Sequence, residues 1–193
     1  MKRYLFILLA VLRFAPLAMP GSPTVPSIGL VTASGGFQLE NHHVWGNGTL
    51  FEGSDITTGS ASVKICLLNG PQIRLAAESQ AQLYRDHVVL KRGIAQLENS
   101  MNYKADAAGI RVSRLEQSTV ARLQIRGEGV LISVRGGSAN AGNGTADVGV
   151  RPGRPVFFPS NKAFGGPVNG MEGPAEVKID FASQEERKPE TGR

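Results

Sequence analysis

The side chains with the widest chemical reach in this chain are three histidines, one cysteine and a few carboxylates near turns. His42 and His43 are adjacent. Neighbouring side chains on a strand point to opposite faces, so the pair cannot readily share one metal ion. The remaining histidine, His87, has no partner at a metal-ligand spacing. The reading is surface or turn histidines and no metal site. Cys66 sits in Ser62–Leu68 on the face opposite Val63, Ile65 and Leu67. A catalytic thiol needs a base and a depressed pKa, and neither can be read from this sequence. With both faces covered, Cys66 is expected as a small buried hydrophobe. An intermolecular disulfide is the alternative in an oxidising compartment. A single cysteine excludes an internal disulfide framework and a Cys-rich zinc site.

Glu52 and Asp55 lie three residues apart beside Gly53, a spacing open to acid/base or Ca²⁺ chemistry. The favoured reading is structural. Asp55 caps the turn through nearby backbone N–H groups, and Thr57 and Thr58 start the next strand. Trp45, Phe51, Tyr84 and Tyr103 could line a sugar or peptide groove, but in an aromatic-poor chain they are expected in the core. Gly127-Glu128-Gly129 and Gly142-Asn143-Gly144 lack the strand–helix context that a phosphate loop requires. No catalytic residue, cofactor or metal is assigned. The structural turn residues are Gly53, Asp55, Thr58, Asn69 and Gly70.

The elements that must carry these residues are short strands. Val63, Ile65 and Leu67 alternate with Lys64 and Cys66, then Asn69-Gly70 provides a turn with positive φ at low cost. Ile73 and Leu75 resume the alternation. Further strands are expected at Ile28–Ala33, Phe37–Glu40, Ala81–Tyr84, His87–Lys91, Ile94–Glu98 and Ile110–Ser113. Val120–Arg126, Val130–Arg135, Thr145–Val150, Val156–Phe158 and Glu176–Phe181 complete the series. Turns are expected at Gly35-Gly36, Asn47-Gly48, Arg85-Asp86, Gly127–Gly129 and Gly136-Gly137. No segment holds a convincing helical period, so the fold class is all-β, solenoid-like or sandwich-like, with Gly-rich turns. Gly136–Gly144 reads as a long hairpin tip and Phe158–Pro174 as an irregular excursion.

The chain has 193 residues, and 21 Lys+Arg against 16 Asp+Glu give a net charge of +5. Charged residues make up 19%, below the usual share of about 25%, while Gly numbers 24 and Pro 11. A coiled coil is excluded, and a hydrophobic content of 41% excludes a wholly disordered chain. Met1–Leu12, MKRYLFILLAVL, has a basic start and an apolar run ending before Arg13. This is the layout of a secretory signal peptide, and the run falls well short of the roughly 20 residues of a membrane span. Residues 1–27 are therefore read as a signal peptide with a Pro-rich linker, 28–182 as one all-β domain and 183–193 as a disordered polar tail. Without Lys2, Arg3 and Arg13 the charge is 18 − 16 = +2, spread along the chain. Nucleic-acid binding is excluded on that ground.

Residues 30–98 resemble the FecR-like domain of bacterial envelope proteins. The resemblance is carried by Leu30–Ala33 and Phe37–Leu39, then Asn47-Gly48-Thr49-Leu50. Gly53, Asp55, Ile56 and Thr58 follow with Ser54 inserted, then Ser62–Leu68, Asn69-Gly70, Ile73-x-Leu75, Ser79, Leu83 and Leu90–Leu97. Tyr103-x-Ala105, Gly109–Val112 and Val130–Val134 look like continuing rungs. The resemblance implies an all-β, solenoid-like periplasmic domain. In the founding members it follows a membrane helix and a cytoplasmic anti-sigma segment and relays iron-siderophore status. Nothing ahead of residue 28 resembles those parts, so iron signalling is not carried over. The triplets Asn47-Gly48-Thr49 and Asn143-Gly144-Thr145 are discounted as glycosylation sites in a bacterial-looking domain.

The expected function is a stand-alone exported β-module, not an enzyme, that binds an envelope protein or polysaccharide. Strand edges, or the loop tips at Gly136–Gly144 and Phe158–Pro174, would make the contact. Membrane association would come only through an uncleaved signal segment. The alternative is an envelope-side signalling adaptor related to FecR regulators of sigma-factor and iron-transport signalling. A third reading is an envelope hydrolase or metal enzyme.

Overall fold

The structure is a computed structural model that describes residues 25–116, 118–127, 129–144 and 146–159. The signal segment, the expected strand Glu176–Phe181, most of the Phe158–Pro174 excursion and the polar tail lie outside the described residues. No helix occurs among the described residues, and the chain is all-β. The strands are β1 Gly29–Leu39, β2 His42–Leu50, β3 Ser54–Thr58, β4 Val63–Leu67 and β5 Gln72–Leu75. They continue as β6 Gln80–Leu83, β7 His87–Arg92, β8 Ile94–Glu98, β9 Lys104–Ala107 and β10 Ile110–Ser113. The set ends with β11 Val120–Arg126, β12 Gly129–Arg135, β13 Ala139–Gly142, β14 Asp147–Val150 and β15 Val156–Pro159.

All fifteen belong to one sheet that nearly closes on itself like a barrel. β1 is its spine. The first half, Gly29–Ala33, pairs with β4, and the second half, Phe37–Leu39, pairs with β3. Two limbs extend from it. One runs β3-β6-β7-β9-β10-β13-β14 and the other β4-β5-β8-β11-β12-β15. The chain passes back and forth between the limbs, one or two strands at a time. Pairing is antiparallel throughout the described strands except between β7 and β9.

The period-two pattern decides which side of each strand is buried. β4 reads buried–exposed along Val63-Lys64-Ile65-Cys66-Leu67, and β3 alternates likewise. Inward residues of both limbs meet in one core that includes Val31, Phe37, Leu50, Ile65, Leu83, Leu97, Leu123, Ile132 and Phe158. Burying one such side chain contributes about 1.5–3 kcal/mol.

Three of the expected turns and loop tips need correction. Gly35-Gly36 is no turn, because both residues lie inside β1, where a bulge between Thr32 and Gly36 bends the strand. The His43 ring lies over Gly36, so close that a Cβ there would come within 2.6 Å of it. Asn47-Gly48 lies inside β2, whose inward positions include Gly46 and Gly48 and so hide the alternation. The hairpin turn is Glu40-Asn41, with φ of 52° and 63°, both in the region that two-residue hairpins demand. Third, Gly136–Gly144 is not a free tip. It contains β13, with Ala139 and Ala141 fully buried against the core.

Candidate functional site

Two groups of polar residues converge in the fold. The first is an internal clasp where the chain crosses between limbs. Thr58 ends β3 and is 1% exposed. Its hydroxyl lies 2.7 Å from Ala76 O and 3.1 Å from Ser79 O, and it accepts the Ser79 N–H at 2.8 Å. The Ser79 hydroxyl in turn accepts the Ile94 N–H at 2.9 Å. Gly93, at φ +84°, sits so tightly against Ser79 that a Cβ would come within 2.3 Å of its Oγ. Three crossings, β3 to β4, β5 to β6 and β7 to β8, are tied by two hydroxyls. Thr119 and Ser138 repeat the device near β11 and β13. Thr119 is 1% exposed, donates to Ser138 O, and Gly137 leaves no space for a Cβ beside it.

The second group is a surface corner formed by the turn between β2 and β3 and the hairpin between β6 and β7. Gly53, at φ +83°, donates its N–H to Leu83 O and sets Glu52 beside the β6–β7 hairpin. Ser54, not Asp55, closes this turn. Its N–H bonds Phe51 O and its hydroxyl accepts the Phe51 N–H at 3.1 Å. The Glu52 carboxylate accepts the Arg85 N–H. Tyr84 and His87 flank the Arg85-Asp86 turn, and their rings stack with centroids 4.3 Å apart and planes 4° from parallel. His87 Nδ1 lies 2.7 Å from an Asp86 carboxylate oxygen. That hydrogen bond holds the Asp86 carboxyl below its usual range, with the charges of His87 and Lys104 adding to the effect. Beneath the corner, Tyr103 is 2% exposed and donates its hydroxyl to Tyr84 O at 3.0 Å. Burial pushes its phenol pKa up, and the nearby Asp86 and Glu52 charges push the same way. Asn69 joins from the β4–β5 turn, donating to Arg85 O at 2.7 Å, while Gly70 supplies φ +109°.

The remaining sequence candidates are dispersed. Asp55 is the second residue of β3, so the expected turn cap is corrected. Its carboxylate faces outward to Gln80 Nε2 and to the Lys91 ammonium, a cross-strand set that spans the three neighbouring strands β3, β6 and β7. Thr57 and Thr58 end this strand instead of opening one. Cys66 is exposed, which corrects the expectation of a buried thiol. Both faces would have to be covered for burial, and among the described residues nothing covers the outer face of β4 at Cys66. Of the four aromatics, Tyr103 is in the core, Tyr84 is half-buried, and Phe51 and Trp45 are 41% and 73% exposed. His42 and His43 are both exposed on β2, with the His43 ring 5.2 Å from that of Trp45. Among the described residues no three His, Cys, Asp or Glu side chains are grouped to hold a metal ion. An open hollow of about 270 Å³ is lined by Arg111, Ser113, Gly144, Ala146 and Asp147, and the Arg111 guanidinium there is held in two hydrogen bonds by Asp106.

The Tyr84–His87 stack escaped the sequence reading. The available signal was an Arg-Asp turn with a ring on either side, which brings the two rings to one face of a hairpin.

No family model and no curated protein matches this chain. Two crystal structures of a "putative anti-sigma factor" from Parabacteroides distasonis ATCC 8503 are similar to it at 13% identity, with TM-scores of 0.47 and 0.45. Each similarity covers 55% of this chain and 55% of that one, so this chain spans about half the length of those proteins.

Proposed function

We propose that the protein is an exported, non-enzymatic β-module that binds an envelope protein or polysaccharide through the corner built by Tyr84 and His87. The observation that carries this reading is the stacked ring pair with hydrogen-bonding groups around it. Stacked rings offer an apolar platform to a sugar ring or an extended peptide. The adjoining Glu52, Asp86, Asn69 and Lys104 supply acceptors and donors at its rim. The platform is preorganised. The Tyr103 hydroxyl and the Asn69 amide fix the backbone of Tyr84 and Arg85 from below and from the side. Export to the periplasm or cell envelope rests on the layout of Met1–Leu12.

Capture from a bacterial envelope extract tests the reading. The wild-type chain is expected to retain a defined protein or glycan, and Tyr84→Ala and His87→Ala to lose most of it while keeping their thermal midpoints near wild type. Equal capture by all three would refute the corner as the binding site.

A second reading is an envelope-side signalling adaptor related to FecR regulators. It draws on the ordered resemblance across residues 30–98 and on the meeting of Thr58, Ser79 and Gly93, all three within the matching segment. Capture of a transporter or of a sigma-factor regulator in the same experiment would favour it over a scaffold role.

A further inference from the structure

The edge of the sheet at β2 is independent of the corner and carries its own argument. β2 hydrogen-bonds only to β1 among the described strands, so among the described residues its second edge is open. Leu39 and His42 close the two-residue hairpin, and on the far side of β1 the Glu40 N–H bonds Asp55 O. Antiparallel strands alternate the direction of their backbone groups residue by residue. β1 therefore turns Gln38 and Glu40 toward β3 and Phe37 and Leu39 toward β2. By the same alternation, the backbone groups of His43 and Trp45 point away from β1 into the open edge.

Natural edges are defended by charges, prolines or brevity. This one spans nine residues, HHVWGNGTL, with no Asp, Glu, Lys, Arg or Pro. Gly46, at φ +77°, interrupts the regular strand after Trp45, so His42–Trp45 is the regular part of the edge before that break. Trp45 stands 73% exposed above it, with the His43 ring against its own. Outward neighbours on the matching stretch of β1 are Gly36 and Gln38, also uncharged.

We propose that His42–Trp45 is a self-association edge, at which a second copy of the chain adds the same segment antiparallel about a twofold axis at Val44. This register pairs His43 with the second copy's Trp45 twice over. Both are the residues whose N–H and C=O groups face the edge, so each pair exchanges both hydrogen bonds. On the outer surface the His43–Trp45 contact within one chain is continued across the axis. On the inner surface, half-buried Val44 meets its own copy. A second copy fits because the strand is its own neutral complement, with no like charges brought together. The pairing is short, and interfaces below about 1,200 Å² are weak and reversible.

Sedimentation velocity of the full chain from about 5 to 500 µM, the range suited to a weak interface, tests the proposal. A monomer–dimer equilibrium is expected for the wild type. His43→Lys/Trp45→Lys should associate at least tenfold more weakly, and so should His43→Glu/Trp45→Glu. An equimolar mixture of the two should recover the dimer, because each lysine then faces a glutamate. Both side chains are exposed, so thermal midpoints should stay near wild type; if a double variant fails to fold, Trp45→Lys alone serves in its place. A wild type that is monomeric throughout would overturn the proposal. So would a lysine variant that dimerises like the wild type, or a mixture that stays monomeric.

Discussion

Replacing Thr58 by valine removes one oxygen from a fully enclosed position and leaves the side-chain shape almost unchanged. The Thr58 hydroxyl accepts the Ser79 N–H at 2.8 Å and directs its single proton at Ala76 O, 2.7 Å away, with Ser79 O at 3.1 Å. In the valine variant the Ser79 N–H has no acceptor and Ala76 O loses a short donor, at a site 1% exposed. Each buried polar group left unpaired costs about 1–3 kcal/mol. Loss of the desolvated hydroxyl itself offsets part of this, which leaves a net cost of about 2–4 kcal/mol. Thr58→Ser is the matched control. It keeps the hydroxyl and deletes one buried methyl, at about 1 kcal/mol. Urea unfolding followed by far-UV circular dichroism should therefore rank wild type above serine above valine. At an m-value of about 2 kcal/mol/M, the middle of the usual range, the valine midpoint should fall by roughly 1–2 M. The reasoning fails if valine costs less than about 0.5 kcal/mol, or if serine costs more than valine, since either result would make the methyl group, not the hydroxyl, the working part of the clasp.

The raised phenol pKa of Tyr103 makes the fold sensitive to alkali. Above about pH 10 the unfolded tyrosine loses its proton while the buried one keeps it, so stability falls as pH rises. Denaturation midpoints at pH 8 and pH 11 should differ by less in Tyr103→Phe than in the wild type; an equal difference would refute the assignment. Cys66 should react stoichiometrically with a thiol reagent in the native state without denaturant, and protection from the reagent would contradict its place on an uncovered face. Asp55→Ala should cost about 0.5–1 kcal/mol, the worth of a partly exposed ion pair with one added hydrogen bond, and high salt should narrow the difference. A cost of several kcal/mol would assign Asp55 a buried role that its cross-strand position does not give it.

How much of this was legible in the chain depends on distance along it. Residues that act within a strand or a turn could be read directly. Val63, Ile65 and Leu67 share the buried face of β4, and Gly70 takes the positive φ that Asn69-Gly70 announces. Strand β2 was missed because glycines occupy inward positions, leaving no apolar alternation to see. Asp55 was read as a cap because Gly53 stands close to it, whereas Ser54 closes the turn and leaves Asp55 to the strand.

The sequence by itself determined an all-β chain and the parity of its strands, because alternation of side chains is a local property of extended backbone. Only the tertiary structure decided what lies above each face. Among the described residues it left the outer face of β4 uncovered, so that Cys66 is exposed. It carried Thr58, Ser79 and Gly93 to one point, because successive crossings between the limbs stack there. It also stacked Tyr84 on His87 and left β2 paired with β1 alone among the described strands. Such juxtapositions arise from the path of the chain, and no local periodicity encodes them.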